Sequence, residues 1–572
     1  MTRSNIEKAL VEELKLLGIR GPKITLEHPA DPGLGDYATN VALIYAKKLG
    51  ANPIELAGQL VQSLKNRHFP EVEKIVVAGF GFINFYLKPE FFEGGIKKII
   101  GNEKFGQGSK LKNEKTIVEY TDPNPFKTFH IGHLMSNTIG EAVSRLLEWN
   151  GAEIKRACYQ GDVGLHIAKA IYGLQKKPGQ FWKEKFFGTA FSRVSYLGVA
   201  YALGAKQYDE SKEVQKEIAE LNKKIYERSD MAVNRLYDAG RKWSLDHFEI
   251  IYQRLGTDFN FYFFESEAGP FGKELINEFL KKDVFTESDG AIVFKGEAHG
   301  LHTRVFLNSQ GLPTYEAKEL GLAKMKYDLY PYDRSVVVTG NEIDSYFKVI
   351  KKVMEFVFPD LEKKTHHISH GMLRLPSGKM SSRTGDVVAA EDLLAEVENK
   401  VLEKLADRQM AKSEKKSIAE AVAVAAIKFS ILKQAPGRDT IFDLEKSVSF
   451  EGDSGPYLQY TAVRAGSVLD KAVTEDLVPK TVRPEGDVVP LERLLYQFPE
   501  IVERAGTEYA PQYIVTYLLE LASAYNGFYG ANKIIDVDNP AVSAWRLALS
   551  AATRTVMTNG LTVLGIRVPE QM

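Results

Sequence analysis

Two histidines stand three residues apart in the stretch Asp122-Pro123-Asn124-Pro125-Phe126-Lys127-Thr128-Phe129-His130-Ile131-Gly132-His133. Imidazole N–H groups and an ammonium suit a polyphosphate, because they donate to its oxygens and to the charge that grows when phosphorus is attacked. Gly132 would let such a ligand approach the backbone closely. Taken alone, His130 and His133 read more readily as a metal pair or as capped surface residues than as a phosphate site. The elements that carry them fix where they stand. Thr116 to Thr121 is rich in β-branched residues and reads as a strand, which Pro123 and Pro125 end because neither can donate to a ladder. Downstream, Ile139, Val143, Leu146 and Leu147 recur at helical spacing until Asn150-Gly151 closes the pattern. Strand, loop and helix in that order set Asn124, Lys127, His130, Gly132 and His133 at the crevice where an open parallel sheet binds phosphates. The reading is an ATP site, not a dinucleotide site.

The chain around this unit has 572 residues, too many for one core, so three or four domains are expected. The net charge is −1, and any phosphate-binding track must therefore come from local clustering. One cysteine, Cys158, excludes an intramolecular disulfide and fits a reducing compartment. No run approaches the ~20 apolar residues of a membrane span, and Met1-Thr2-Arg3-Ser4-Asn5 leads into a charged helical pattern without a signal core. A cytoplasmic monomer without a membrane contact is expected.

Residues 1–110 carry helical patterns at 5–17, 38–49 and 53–66 and strand-like runs near 75–78 and 82–85, giving an α+β unit closed by the Gly-rich stretch 101–109. Residues 111–400 hold the nucleotide fold, with strands expected near 154–159, 335–339 and 366–373, a helix over 344–357, and an insertion over about 176–330 that reads as long charged helices over 180–257 and short strands over 258–310. The charge runs of that insertion read as solvated helix faces. Residues 401–572 are almost wholly helical, and Ser417 with Glu420 reads as a capping box ahead of 421–432.

Asp122-Pro123-Asn124-Pro125, Lys127, His130-Ile131-Gly132-His133-Leu134 and Gln160-Gly161-Asp162-Val163-Gly164 resemble the signature block of class I arginyl-tRNA synthetases. The resemblance continues through Lys379-Met380-Ser381-Ser382-Arg383, similar to the family's KMSKS-type loop, and through Gly455-Pro456-Tyr457-Leu458-Gln459-Tyr460 to Gly560-Leu561-Thr562-Val563-Leu564-Gly565-Ile566. It implies a multidomain α/β protein: a Rossmann-like parallel-sheet catalytic domain, an N-terminal tRNA-binding domain and an all-α anticodon-binding domain. It implies activation of L-arginine by ATP with Mg2+, then transfer to tRNA(Arg).

The family's roles fall on this sequence residue by residue. His130 and His133, with Gly132 and Asn124, would bind ATP, joined by Lys379, Met380 and Ser381. Ser382 stands where the pattern has a second lysine, so Arg383 or Lys127 would supply that charge. Glu119, Asn124, Tyr315 and Glu319 would hold the arginine, with Glu319 in a place where the family commonly has Asp and Glu342 where a glutamine is frequent. A guanidinium is best met by carboxylates and an aromatic edge; Glu119 would otherwise pair with a lysine or arginine of the fold. Phe82 would stack on an unpaired D-loop base of the tRNA while Asn84 reads its edge; Phe80 and Phe85 read as core aromatics, and Phe82 reads as readily so. No metal ligands are expected from the protein.

A small nucleotidyltransferase would share the His-x-Gly-His loop but needs neither flanking domain. An RNA-binding relative without activity would keep those domains and lose His130, His133, Asn124 or Lys379, all of which are present. Another class I synthetase remains the nearest rival, and Glu119 with Tyr315 argues against it.

Overall fold

The computed structural model describes residues 2–376 and 388–572. The chain divides into two compact units, each assembled from three segments: 1–105, 464–499 and 520–557 in the first, 106–463, 500–519 and 558–572 in the second.

In the first unit a four-stranded antiparallel sheet has the order β1 (Leu26–Glu27), β2 (Tyr37–Thr39), β4 (Phe82–Leu87), β3 (Val72–Ala78). Alternation sorts the faces of β4: Ile83, Phe85 and Leu87 are buried in the core, whereas Phe82, Asn84 and Tyr86 turn to the other face. The helices α1 (Thr2–Leu16), α2 (Val41–Leu49), α3 (Pro53–Lys65) and α4 (Pro89–Ile100) complete the N-terminal part. Ile6, Leu10 and Leu14 of α1 and Leu56, Leu60 and Leu64 of α3 form apolar stripes at helical spacing in the same core as Phe85. Asp36 is buried, accepts from the Leu87 backbone N–H at 2.8 Å and pairs with Arg493, which ties a segment from the far end of the chain to this sheet.

The second unit is built on a five-stranded parallel sheet in the order β12-β11-β5-β6-β7, formed by β5 (Lys115–Glu119), β6 (Glu153–Gln160), β7 (Phe261–Phe264), β11 (Arg334–Gly340) and β12 (Thr365–His370). β8 (Thr286–Ser288), β9 (Ala291–Phe294) and β10 (Arg304–Leu307) make a separate antiparallel sheet, and β13 (Leu373–Arg374) pairs with β14 (Thr440–Ile441). β5 sits centrally, and its successor helix α5 (Ile131–Trp149) returns through the expected Pro-rich loop.

β7 corrects the reading of 176–330 as material outside the sheet. Its four residues, Phe261-Tyr262-Phe263-Phe264, pair parallel to β6 from Ala157↔Phe261 to Gln160↔Phe264. A short strand is expected here, but nothing in four aromatic residues says which sheet it joins. Before it lie α6 (Leu165–Gln175), α7 (Pro178–Phe187), α8 (Ala190–Glu210), α9 (Lys212–Glu227) and α10 (Met231–Leu255), around a core that contains Phe126, Ile167, Leu197, Ile218 and Trp243. After it come α11 (Glu265–Leu280), α12 (Tyr315–Leu329), α13 (Asp344–Val357), α14 (Pro359–Lys364), α15 (Ala390–Lys404) and α16 (Lys412–Leu432).

The capping box expected at Ser417 is absent. α16 begins at Lys412 after Ala411, so Ser417 lies inside the helix and its Oγ accepts from Arg567 at 3.1 Å. A Ser-x-x-Glu pattern inside a run of good helix formers does not start a helix.

Candidate active site

The loop between β5 and α5 folds through three non-glycine residues of positive φ: Thr121 (83°), Asp122 (48°) and Phe126 (66°). Such conformations persist only where the surroundings over-determine them. Here the surroundings are specific. The Thr121 N–H donates to Ser136 Oγ at 3.0 Å and its hydroxyl accepts from Asn137 at 3.0 Å, both on α5. Asp122 accepts from the Tyr159 N–H of β6 at 2.7 Å, and the Phe126 N–H donates to Ser244 of α10 at 2.9 Å.

His130 and His133 cap α5 reciprocally. His130 Nδ1 accepts from the N–H groups of Gly132 (3.1 Å) and His133 (3.4 Å), while His133 Nδ1 accepts from the His130 N–H at 3.2 Å. With both Nδ1 atoms acting as acceptors, each neutral ring carries its proton on Nε2. The rings stack at 3.6 Å between centroids. Burial and the nearby Lys127 ammonium push the His130 pKa down to about 4; burial and His130 push that of His133 well below the usual imidazole range. The product is a pair of neutral Nε2–H donors at a helix amino terminus, where the axial dipole favours an anion.

Gly132 is also constrained from within the loop. A Cβ there would stand 2.9 Å from His130 Cε1, so the glycine makes room for the His130 ring itself. Lys127 is half-buried, its pKa lowered by burial and by Lys169, and its ammonium lies 5.4 Å over the Tyr201 ring. Asn124 reaches β6: a Cβ at Gly161 would stand 2.2 Å from Asn124 Oδ1 and 3.3 Å from Glu265 Oε1.

Lys379, Met380, Ser381 and Arg383 lie outside the described residues. The chain resumes against the histidines, where the Ile131 N–H donates to the Val388 carbonyl at 3.1 Å, the Ala390 N–H to that of Phe129 at 2.9 Å, and His130 forms an isolated bridge with Ala389.

At the other end of the crevice Glu119 is buried and accepts from Lys326 Nζ at 2.6 Å. This is the pairing with a lysine of the fold that the sequence left open for it. The ion pair does not balance the region. Burial and the Glu119 charge hold the Asp122 carboxyl well above the ordinary carboxylate range and raise that of Glu319 to about 8. Of these three carboxyl groups only Glu119 is ion-paired with Lys326 among the described residues. Glu265 forms a second buried pair with Lys318 at 2.6 Å, next to Asn124.

Tyr315 opens α12 one turn before Glu319 and is 62% exposed, with Lys318 Nζ 5.1 Å over its ring; the structure does not bury it with the carboxylates. Glu342 folds back over Gly340 at the end of β11. Lys326 belongs to no motif of the sequence, although its place seven residues after Glu319 puts both on one helix face. Asp162, in the Gln160–Gly164 motif, is a fully buried hub that accepts from Arg241 (2.8 Å), Tyr237 (3.1 Å) and the backbone and hydroxyl of Ser266 (2.9 and 2.8 Å).

In the first unit Phe82 is 41% exposed on the outer sheet face, beside Ala78, its partner on β3. Phe85 is in the core, but Phe80 is 82% exposed, contrary to the expectation of a core aromatic, because it sits in the turn before β4 rather than on the strand. Asn84 shares the Phe82 face but is 3% exposed between Ala38 and Val76, with no hydrogen-bond partner for its Oδ1.

Among the described residues no helix is long and apolar enough to cross a membrane, and no group of three or more His, Cys, Asp or Glu side chains is arranged to hold a metal ion. Residues 95–444 match the family model described as tRNA synthetases class I (R), catalytic domain; 4–87 match the arginyl tRNA synthetase N terminal domain and 458–572 the DALR anticodon binding domain. An arginine–tRNA ligase of Treponema pallidum is 31% identical over 575 residues, covering 97% of this chain and 96% of that protein. The fold is similar to that of a Thermus thermophilus arginyl-tRNA synthetase (TM-score 0.80, 23% identity, 100% of both chains) and of one from Plasmodium falciparum (TM-score 0.80, 20% identity, 100% and 99%).

Proposed function

Because this chain belongs to the class I arginyl-tRNA synthetases, we propose that it charges tRNA(Arg) with L-arginine in the crevice between β5, α5 and α12. In the first step a carboxylate oxygen of arginine attacks the α-phosphorus of ATP, and the bond to pyrophosphate breaks. In the second a terminal hydroxyl of the tRNA attacks the arginyl carbonyl and AMP leaves. His130 and His133 donate from Nε2–H to phosphate oxygens, strengthening as charge develops there. Their neutrality is useful, because they polarise without holding the product by charge. Lys127 supplies a cation on the same side, and Lys379 and Arg383 are proposed to act from the loop whose far end returns to His130. Mg2+ would arrive with ATP, held through phosphate oxygens and neutralising their charge.

The observation that carries the arginine assignment is the gathering of the Glu119, Asp122 and Glu319 carboxyl groups within one another's field, of which only Glu119 is ion-paired with Lys326 among the described residues. A guanidinium presents a planar fork of donors that satisfies two carboxylates at once, which a compact ammonium does not. Asn124 is assigned to the amino-acid end and Tyr315, the first residue of α12, to the rim. Phe82 on its open sheet face is assigned a stacking role toward tRNA, with Asn84 beneath it, in the region 1–110; 111–400 is the catalytic region and 401–572 the anticodon-binding region. A cytoplasmic monomer is the proposed working form.

ATP–pyrophosphate exchange with each amino acid, with and without tRNA, tests the assignment. Exchange with arginine, dependent on tRNA, is expected. Discrimination against lysine should exceed the ~10–200-fold typical of a missing methylene in an apolar pocket. Exchange with any other amino acid at a comparable rate overturns it.

A further inference from the structure

Helix α7 and the start of α8 expose four large aromatic rings within ten residues: Trp182 (40%), Phe186 (67%), Phe187 (86%) and Phe191 (64%). Single exposed apolar residues are ordinary, but such a concentration marks a binding surface. The rings are not there for want of a core. Phe181, next to Trp182, is buried against Trp243 at 5.4 Å, so α7 already has its inward anchor. Trp182 and Phe186, four residues apart on the outer side, stack at 6.0 Å with 18° between planes.

The surroundings are basic. Lys177 and Lys183 are exposed, Lys176 is exposed but paired with Glu217 at 3.8 Å, Lys185 Nζ lies 5.1 Å over the Trp182 ring, and exposed Arg235 of α10 approaches the same ring at 6.0 Å. The one carboxylate between 176 and 193, Glu184, is buried and accepts from Gln180 and Ser192 at 2.7 Å each, so it does not offset those charges at the surface. In a chain of net charge −1 this is a local cluster of cations interleaved with stacking faces. Exposed π-faces with adjacent ammonium and guanidinium groups fit unpaired bases and their phosphates.

The patch is continuous with the candidate site through one rigid element. α8 begins at Ala190 beside the rings; at Gly198 a Cβ would stand 3.9 Å from Thr128 Oγ1, and Tyr201 lies under Lys127. From Phe191 to Gly198 the helix rises ~10 Å. We infer that Trp182, Phe186, Phe187 and Phe191 form a stacking platform for the unpaired 3′ end of the tRNA, leading that strand along α8 toward the loop that binds ATP. The inference rests on the proposed charging of tRNA.

The test uses the full chain and two RNAs: a tRNA transcript that the parent charges, and the same transcript without its unpaired 3′ nucleotides. Replacing Phe186 and Phe187 together by Ala should weaken binding of the intact RNA by about tenfold or more, raise its KM with little change in kcat, and leave binding of the shortened RNA as in the parent. Tyr at both positions should restore the intact RNA, since stacking is kept. Replacing Lys183 and Lys185 by Gln should reduce the salt dependence for the intact RNA by about 1.4 in logarithmic slope, at ~0.7 for each phosphate no longer neutralised. Equal loss on both RNAs, or no loss on either, overturns the platform; the second result would assign the patch to a protein partner. A parent that charges no tRNA overturns the functional reading, and this one with it, before any variant is made.

Discussion

The two ends of the crevice bury polar groups in opposite ways. At the phosphate end, His130 and His133 are satisfied by their own backbone, neutral and fixed in one tautomer before any ligand arrives. At the arginine end, Glu119, Asp122 and Glu319 crowd one ammonium, and a proton is held in place of a missing cation. The first end is finished; the second is built to be completed by its ligand. Preorganised donors speed a reaction because nothing reorganises as charge develops, whereas an unpaired carboxyl cluster selects a ligand because only the right cation relieves it.

The largest effect that could break this comparison is at the finished end. His130→Ala or His133→Ala should lower the activation rate about a hundredfold or more, since one transition-state donor is worth roughly 3–4 kcal/mol. His130→Asn sharpens the point. Asparagine is a good N-cap, so the thermal midpoint should stay near that of the parent while the rate falls as far as in the alanine variant. A variant that keeps the rate and loses the fold would make the histidines caps only.

Next in size is Lys326→Met, which leaves three carboxyl groups without a cation. Breaking a buried pair this way costs about 3–5 kcal/mol, and denaturant melts should show that loss at pH 7 and a smaller one near pH 5, where the carboxyls take up protons. Glu119→Gln should be milder in stability, because Glu319 then ionises against Lys326. It should raise the KM for arginine with that for ATP unchanged. If both constants rise together and lysine is still rejected, Glu119 serves only the fold.

The two ends also titrate with opposite sign. His130 has a folded pKa near 4, below its unfolded value, so its contribution to stability is present above about pH 6.5 and is lost as the pH falls through 4. Glu319 has a folded value near 8, above its unfolded one, so its contribution is present below about pH 4.5 and is lost as the pH rises through 8. Glu319→Gln should therefore flatten the stability profile between pH 5 and 8 and leave the acid limb, whereas His130→Asn should do the reverse. Matching profiles for the two variants would remove the contrast.

The same contrast explains what is legible in the sequence. The strand, the Pro-rich loop and α5 are readable because β-branching, proline and helical spacing are local, and the expected bounds differ from the observed ones by only one or two residues. The positive φ of Thr121, Asp122 and Phe126 is not readable, since it depends on Ser136, Asn137 and Ser244 packing in from elsewhere. The partner of Glu119 lies 207 residues away, and no spacing rule reaches that far. The sheet that β7 joins escapes for lack of length, and Ser417 misleads because a capping pattern also occurs inside helices. The aromatic patch hides among charge runs that read as solvated helix faces, although Trp, Phe and Lys are closely interleaved in 181–193.

The most direct measurement is calorimetry of arginine binding at pH 7 in two buffers of different ionisation enthalpy. Completion of the cluster by a guanidinium should lower the Glu319 pKa from about 8 and release close to one proton per arginine bound. The release should vanish in Glu319→Gln. Binding with no proton release, or with uptake, would contradict the account of the arginine end.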